Sequence, residues 1–421
     1  MSRLSGFRLA GAAPIILALA ACIPGVALRV SGTHLGVLPD TLLFGLAIVA
    51  AAFLLSWTAE AAEVDIAQGL AVAIVALIAV LPEYAVDMAF AWKAGTDPAY
   101  APYAVANMTG ANRLLVGGAW PLISVIFWWR ARQSVVRLER SQSIEIVALL
   151  AATLYSFTIP LKGTISLLDT VVLGSIFVGY VWVIGRAHAE EPELVGPART
   201  LGAMQPMPRR TSLAVLFVVA ACAVFAAAEP FAEGLIHSGT AMGVDEFLLV
   251  QWLAPFASEA PEFLIAGILA YRMRAGAAMR ILLSSKVNQW TLLIGGLAIA
   301  FAVSSSGLAG LELDARQREE LWLTAAQSLF AVAVMSSMSF SVREALLLFT
   351  LFAVQFLVPT SEVRLGVTAT YVVGTVVIVL TRSRDLVALF GSARGVVREM
   401  SSSPDAHPAE AVAVPALKER E

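Results

Sequence analysis

The sequence predicts an all-α polytopic membrane protein with about twelve transmembrane helices. Of its 421 residues, 59% are hydrophobic and only 14% are charged, whereas roughly 25% of the residues in a soluble protein are charged. Apolar runs long enough to cross a bilayer recur along the whole chain. We predict spans at residues 9–28, 40–58, 66–92, 102–129, 144–160, 165–185, 211–230, 245–271, 279–304, 320–340, 344–359 and 365–381.

The distribution of lysine and arginine predicts an orientation in the membrane. If the N-terminus is cytoplasmic, most of the 28 basic residues fall on the cytoplasmic side, and two, Arg113 and Lys286, fall within spans. This distribution follows the positive-inside rule. We therefore predict an integral protein of the plasma (inner) membrane, surrounded by the lipid bilayer, with both termini in the cytoplasm.

Two stretches place a proline and a glutamate deep inside an apolar run. The first contains Pro82-Glu83 and the second contains Pro261-Glu262. Proline removes a backbone hydrogen bond from a helix, so we expect helix breaks at Pro82 and Pro261 near the bilayer midplane. A carboxylate in the middle of a span is costly in free energy and by default indicates an ion or proton site.

The two stretches are predicted to run in opposite directions across the membrane. Paired antiparallel helices that are broken and carry an acid are typical of transporters with inverted repeats, so we predict an inverted 5+5 repeat core. The predicted division is a peripheral first helix (1–39), a first repeat (40–185, motif 79–115), a cytoplasmic linker (186–210), a second repeat (211–359, motif 257–291), a peripheral last helix (360–385) and a cytoplasmic tail (386–421), which we expect to be disordered.

Two further acids accompany the glutamates. Asp87 lies four residues after Glu83, and Glu259 lies three residues before Glu262, so each shares a helix face with its neighbour. Symmetric packing of the repeats would bring all four carboxyl groups to one cavity. Crowded carboxylates with little water cannot all stay ionised unless a cation binds.

Arg113 and Lys286 provide positive charge within the spans, and two interpretations stay open. The bases could occupy places where exchangeable cations would otherwise bind. Alternatively, they could be buried ion-pair partners that fix the helix bundle, because charges within a membrane usually pair whether or not they titrate.

The two stretches resemble the alpha repeats of the sodium/calcium exchanger family, within the calcium:cation antiporters. The family places a Pro-Glu motif on one helix and a Gly-Asn-x-x-Gly-Ser-Asn motif on the next. The first copy keeps Leu81-Pro82-Glu83 and the run from Asn107 to Asn112. The matching residues of the second copy are Ser258, Ala260-Pro261-Glu262 and Asn288.

The resemblance implies that Glu83 and Glu262 are the central metal ligands for calcium. Asp87 and Glu259 would extend the set of ligands, and the expected neutral oxygens belong to Asn107, Asn112, Asn288, Ser258 and Thr291. Several family oxygens are absent, because family hydroxyl positions hold Ala79, Val80, Ala111 and Val287. Lys286 stands where the family has glycine.

We therefore expect a secondary active cation antiporter that exchanges calcium for sodium or protons by alternating access. Its partners would be small inorganic cations and lipid, with no nucleic acid and no cofactor beyond the transported calcium, sodium or protons. The alternatives are a proton-coupled monovalent cation antiporter and a non-transporting family member with a binding or assembly role. An intramembrane hydrolase is disfavoured because the sequence lacks Gly-x-Gly-Asp and His-Glu-x-x-His motifs, and ATP coupling is disfavoured because it lacks a Walker loop.

Overall fold

The computed structural model describes residues 2–65, 80–186 and 194–401, which are predominantly helical. The helices are α1 (Ser2–Ser31), α2 (Val37–Ala62), α3 (Leu81–Ala94), α4 (Ala101–Leu114), α5 (Trp120–Ala131), α6 (Ser143–Ser156), α7 (Thr158–Lys162), α8 (Leu167–Ile184), α9 (Pro197–Gly202), α10 (Pro206–Met242), α11 (Glu246–Tyr271), α12 (Ala275–Asn288), α13 (Ile294–Ser304), α14 (Ala315–Met335), α15 (Val342–Leu357), α16 (Ser361–Thr381) and α17 (Ser383–Ser401). Short 3₁₀ turns occur at Pro98–Tyr100 and Arg140–Gln142, and π-helical segments at Leu115–Ala119 and Gln289–Leu293.

Nine helical segments within the described residues are long and apolar enough to cross a membrane. They correspond to nine of the twelve predicted spans. The predicted span 66–92 is described only from residue 80 onward. The other two are occupied by α14, which begins with several charged residues, and by α15, whose 16 residues are shorter than a bilayer core requires.

Two short antiparallel sheets show how the repeats are related. Strand β1 (Val135–Arg137) pairs with β4 (Ser339–Ser341), and β2 (Thr164–Ile165) pairs with β3 (Leu311–Glu312). Helix α6 separates β1 from β2, and α14 separates β3 from β4. The cross-pairing therefore requires α6 and α14 to run in opposite directions, which is the inverted arrangement of the 5+5 core.

The same helix-start signals occur in both repeats. A capping box joins Glu139 to Gln142 before α6, and an equivalent box joins Asp314 to Gln317 before α14. In the second box, the Gln317 backbone N–H donates to Asp314 Oδ1 over 2.7 Å. Further boxes join Ser166 to Asp169 at α8 and Ser341 to Glu344 at α15. Such boxes satisfy the free backbone N–H groups of a first turn, so each repeat starts two of its helices identically.

The predicted helix breaks are placed differently from the expectation. Helix α11 runs without interruption from Glu246 to Tyr271 through Pro255 and Pro261, so Pro261 does not divide it. Pro82 lies in the first turn of α3. Backbone N–H groups in a first turn have no acceptor within the helix, so the missing N–H of proline breaks no helical hydrogen bond there. Ala79 and the residues preceding it in that span lie outside the described residues. The described irregularities are instead the two π-helical segments, which follow α4 and α12 in equivalent places.

The linker and the tail both contain helix. The linker includes α9, and Arg209 beyond it donates hydrogen bonds of 2.7 and 2.6 Å to Asp65 at the end of α2. These hydrogen bonds lower the pKa of Asp65 to about 2. The predicted disorder of the tail is wrong for residues 386–401, because α17 buries Leu389 and packs against α6. Residues 402–421 of the predicted tail lie outside the described residues.

Candidate functional site

The four predicted acids lie on α3 and α11. Glu83, Asp87 and Glu259 are buried, and Glu262 is half-buried. The charges of Asp87, Glu259 and Glu262 all act on Glu83, so the four carboxyl groups form one electrostatic cluster. Packing of α3 against α4 and of α11 against both places this cluster inside the bundle.

Several buried oxygen atoms of this cluster accept no hydrogen bond within the described part of the chain. They are Glu83 Oε1, both carboxylate oxygens of Asp87, and Glu259 Oε2. The amide oxygens of Asn107 and Gln289 are also buried without a partner. Buried polar groups are nearly always satisfied, and each one left without a partner is costly. A bound cation or bound protons would satisfy these oxygens.

Gln289 and Ser285 also hydrogen-bond to the cluster, although neither was predicted from the sequence. Gln289 Nε2 donates to Glu259 Oε1 over 3.0 Å, and Ser285 Oγ donates to Glu262 Oε2 over 2.8 Å. Gln289 could have been found from its position directly after the motif asparagine. Ser285 carries no comparable signal, because serine is common in helices that pack inside membranes.

Lys286 is completely buried beside the acids. Its Nζ atom donates to Asn112 Oδ1 over 2.6 Å and lies 4.5 Å from the centre of the Trp290 ring. The charges of Glu259 and Glu83 act on it. The Asn112 amide is engaged at both ends, because its Nδ2 atom donates to the Met108 carbonyl over 2.8 Å. The structure therefore uses the Asn112 oxygen to hold an ammonium group.

Arg113 points away from the four acids. Its guanidinium lies 2.5 Å from a carboxylate oxygen of Glu320 on α14 and donates to Gln355 Oε1 on α15 over 2.6 Å. Both members of the ion pair are almost fully buried. This geometry matches the interpretation in which the base fixes the bundle, and it leaves Lys286 as the basic side chain that offsets the four acids.

The remaining predicted side chains, Asn288, Ser258 and Thr291, have hydrogen-bond partners within the described part of the chain. Asn288 Oδ1 accepts a hydrogen bond of 2.8 Å from the Tyr84 hydroxyl. Ser258 Oγ donates to the Ala254 carbonyl over 3.2 Å, and Thr291 Oγ1 donates to the Val287 carbonyl over 2.6 Å. The two hydroxyl oxygens keep lone pairs that could face a cation.

Gly110 explains how α4 comes so close to α11. A Cβ atom at this position would lie 1.8 Å from the Gln251 carbonyl oxygen, so only glycine permits the contact. The π-helical segments begin within a few residues of Asn112 and Asn288. Such segments often occur at functional sites, and here they place equivalent irregularities on the two helices that contribute amides.

A cation bound in this cluster would need ligands besides the carboxylates. Among the described residues, no group of three or more His, Cys, Asp or Glu side chains is arranged to hold a metal ion. Glu83 and Glu262, the predicted metal ligands, therefore depend on amide and hydroxyl oxygens from α4, α11 and α12 to complete a coordination shell. Mixed carboxylate and amide oxygens suit hard cations such as calcium.

Comparison with known proteins gives consistent results. The family model described as "Sodium/calcium exchanger protein" matches residues 41–185 and again residues 212–361. A search of curated proteins found no match. Among solved structures, the H+/Ca2+ exchanger CAX is 44% identical, with a TM-score of 0.87, over 92% of this chain and 98% of that chain.

Two more distant structures share the fold. Native YfkE is 16% identical with a TM-score of 0.61, over 84% of this chain and 99% of that chain. The sodium-calcium exchanger NCX_Mj is 17% identical with a TM-score of 0.52, over 79% of this chain and 99% of that chain. The family model covers both halves of the core, and CAX is similar over almost the full length. The chain therefore belongs to the sodium/calcium exchanger family.

Proposed function

We propose that this protein is a secondary active antiporter that exchanges calcium for protons by alternating access. Family membership supports cation antiport, and similarity to the H+/Ca2+ exchanger CAX, at 44% identity, supports this pair of ions. The inverted repeats supply the two halves that such a cycle moves against each other.

The observation that carries this proposal is the set of buried oxygens that lack donors. Glu83, Asp87 and Glu259 together present four such carboxylate oxygens inside the membrane. Calcium prefers six to eight oxygen ligands; these carboxylates could supply some of them, and amide and hydroxyl oxygens of α4, α11 and α12 could supply others. The same oxygens bind protons when calcium leaves, so the two ions compete for one set of atoms.

Protons fit the second half of the cycle better than sodium does. A sodium site needs several neutral oxygens, and two of the predicted amide oxygens are already engaged: Lys286 bonds to Asn112 Oδ1 and Tyr84 bonds to Asn288 Oδ1. The amide oxygens of Asn107 and Gln289 are the ones left without a partner at this site among the described residues. A carboxylate binds a proton without any further ligand. Four carboxylates and one ammonium leave a formal charge of −3, so two protons can replace one calcium without changing the net charge.

We also propose a location and an orientation. The protein would lie in the plasma (inner) membrane with both termini in the cytoplasm, as the distribution of its basic residues indicates. In this orientation, β1, β4 and α17 lie on the cytoplasmic side.

The proposal is tested by calcium flux into proteoliposomes under separate pH and sodium gradients. We expect uptake driven by the pH gradient, and we expect it to be lost in Glu83→Gln and in Glu262→Gln. Glu362→Gln is the matched control, because this acid is exposed at the start of α16. Uptake driven only by sodium would overturn proton coupling. Flux of a monovalent cation without calcium would favour the monovalent antiporter, and no flux from folded protein would favour the non-transporting role.

A further inference from the structure

A second group of buried side chains surrounds the site, at positions that the two repeats share. The sequence Leu-Glu-x-x-Gln-x-x-Glu ends at Glu145 on α6, and Leu-Asp-x-x-Gln-x-x-Glu ends at Glu320 on α14. Their capping boxes start both helices in the same way. Glu145 and Glu320 are therefore equivalent residues of the inverted repeats.

The equivalence extends to the neighbouring helices. Tyr180 on α8 and Gln355 on α15 lie the same number of residues after the capping serines Ser166 and Ser341, so they are equivalent positions. Counted from the motif asparagines, Gln289 occupies the position of Arg113. Each repeat thus supplies one acid, one residue after the motif asparagine and one polar residue on the following helix.

The two groups differ in charge. Glu320 is neutralised by Arg113, whose other guanidinium nitrogen bonds to Gln355. The positions equivalent to Arg113 and Gln355 hold the uncharged Gln289 and Tyr180 instead. Glu145 is only 4% exposed, and its Oε2 atom lacks a hydrogen-bond partner. No lysine or arginine among the described residues forms an ion pair with it.

The charged and titratable groups around α6 have other partners. Tyr180 on α8 lies within range of the Glu145 charge and donates to Ser284 Oγ over 3.0 Å. On α12 and α8, Arg280 pairs with Glu139, Lys286 bonds to Asn112, and Asp169 pairs with Lys162. On α14, Arg316 contacts Asp245, Arg318 contacts the Pro160 carbonyl, Glu319 pairs with Arg364, and Glu320 pairs with Arg113. On α17, Glu399 pairs with Arg140, and Arg394 and Arg398 lie on the exposed face. None of these ion pairs includes Glu145.

The helix that carries Glu145 contacts the elements that donate hydrogen bonds to the central acids. Helix α6 packs against α12 and against the π-helical segment that begins at Gln289. From the π-helical segment, Gln289 donates to Glu259, and from α12, Ser285, next to Ser284, donates to Glu262. In a medium of low polarity, charges act on one another over longer distances than they do in water.

We propose that Glu145 is an additional proton-binding carboxylate of the exchange cycle, the un-neutralised counterpart of Glu320. When calcium binds to the central acids, its positive charge favours ionised Glu145, which releases its proton. When calcium leaves, Glu145 takes up a proton again. This assignment rests on the proposed calcium/proton exchange, and it gives the two halves of the core different roles: Arg113 locks one half, whereas Glu145 titrates in the other.

The test counts the protons that leave the purified, full-length protein when calcium binds. The protein is placed in weakly buffered detergent solution with a pH indicator, and calcium is added. Glutamine resembles a protonated glutamate in shape and hydrogen bonding. If Glu145 stayed protonated throughout, Glu145→Gln would therefore release as many protons as wild type. Glu139→Gln is the control, because this acid is half-exposed at the start of the same segment.

We expect Glu145→Gln to release one proton fewer per bound calcium than wild type and, because proton release and calcium binding are linked, to bind calcium less tightly at the pH values where wild-type Glu145 releases its proton. Glu139→Gln should match wild type in both measurements. An unchanged proton count in Glu145→Gln would overturn the role of Glu145 and leave the exchange function standing. A wild-type protein that releases no protons on binding calcium would contradict the proposed function itself. If Glu145→Gln does not fold, Tyr180→Phe replaces it: a shifted midpoint pH of proton release supports the proposal, and an unshifted midpoint overturns it.

Discussion

Lys286 donates a hydrogen bond of 2.6 Å to Asn112 Oδ1, and this contact joins the second repeat to the first beside the four acids. The ammonium group is tethered, so it cannot leave the site during transport. It occupies the Asn112 amide oxygen with a hydrogen bond and adds one positive charge there. An exchanger with more free ligands could bind another cation at this place.

Replacing Lys286 should therefore change the response to sodium. We expect Lys286→Gln to make sodium a competitor of calcium, because the substitution frees Asn112 Oδ1 and leaves the carboxylates with one more uncompensated negative charge. The measurement is inhibition of calcium uptake by sodium in proteoliposomes. Lys286→Arg keeps the charge and should stay insensitive to sodium. The same sodium response in wild type and Lys286→Gln would show that the ammonium does not exclude sodium.

The Arg113–Glu320 ion pair should contribute to stability without taking part in ion binding. Arg113→Met removes the nearer counter-charge of buried Glu320 and leaves it only Arg364, whose Nη1 atom lies 3.8 Å from Glu320 Oε1. Loss of one partner of a buried pair typically costs about 3–5 kcal/mol. The double variant Arg113→Met, Glu320→Met removes both charges and should recover much of this loss. Thermal unfolding in detergent measures both effects. Equal destabilisation by the single and double variants would mean that the charge pairing is unimportant.

Gly110 should tolerate no larger residue. Gly110→Ala forces a Cβ atom against the Gln251 carbonyl, and overpacking of this kind typically costs about 1–3 kcal/mol or more. Gly174→Ala is the control, because a Cβ atom on this glycine of α8 meets nothing within 4 Å. We expect a lower unfolding temperature and weak calcium flux in Gly110→Ala alone. Unimpaired Gly110→Ala protein would contradict the close approach of α4 and α11.

The Asp65–Arg209 contact should stabilise the protein in a pH-dependent way. The pKa of Asp65 is lowered from 3.8 to about 2 in the folded protein, chiefly by hydrogen bonds from Arg209. Its contribution is therefore complete above the unfolded pKa and disappears as the pH falls toward 2. We expect Asp65→Asn to unfold at a lower temperature than wild type at pH 7, with a smaller difference at pH 3. A constant difference across this range would exclude the ionised carboxylate as the cause.

The sequence was sufficient for those parts of the account that depend on local patterns. Apolar runs indicate membrane spans because a bilayer imposes a fixed length, and nine of the twelve meet the length and hydropathy criteria within the described residues. The Pro-Glu pairs drew attention to Glu83 and Glu262 because acids inside spans are rare. Their neighbours Asp87 and Glu259 follow from helical spacing, and the structure brings all four together.

The sequence was insufficient where the partner is remote. Arg113 was selected as a charge near the site, but its counter-ion, Glu320, lies in the other repeat and nothing local connects them. The continuity of α11 at Pro261 depends on packing around the helix, which outweighs the local cost of proline. The helix at the start of the tail forms because α6 offers a surface for Leu389, and a search for long apolar spans does not detect such a surface.

The central claim is that calcium and protons compete for one cluster of buried carboxylates. The most direct measurement follows both ions at once in the same proteoliposomes, with a calcium dye inside and a pH dye inside, and with no sodium present. We predict that calcium entry is accompanied by loss of internal protons, and that both signals vanish together in Glu83→Gln. Calcium entry without any movement of protons would contradict the account.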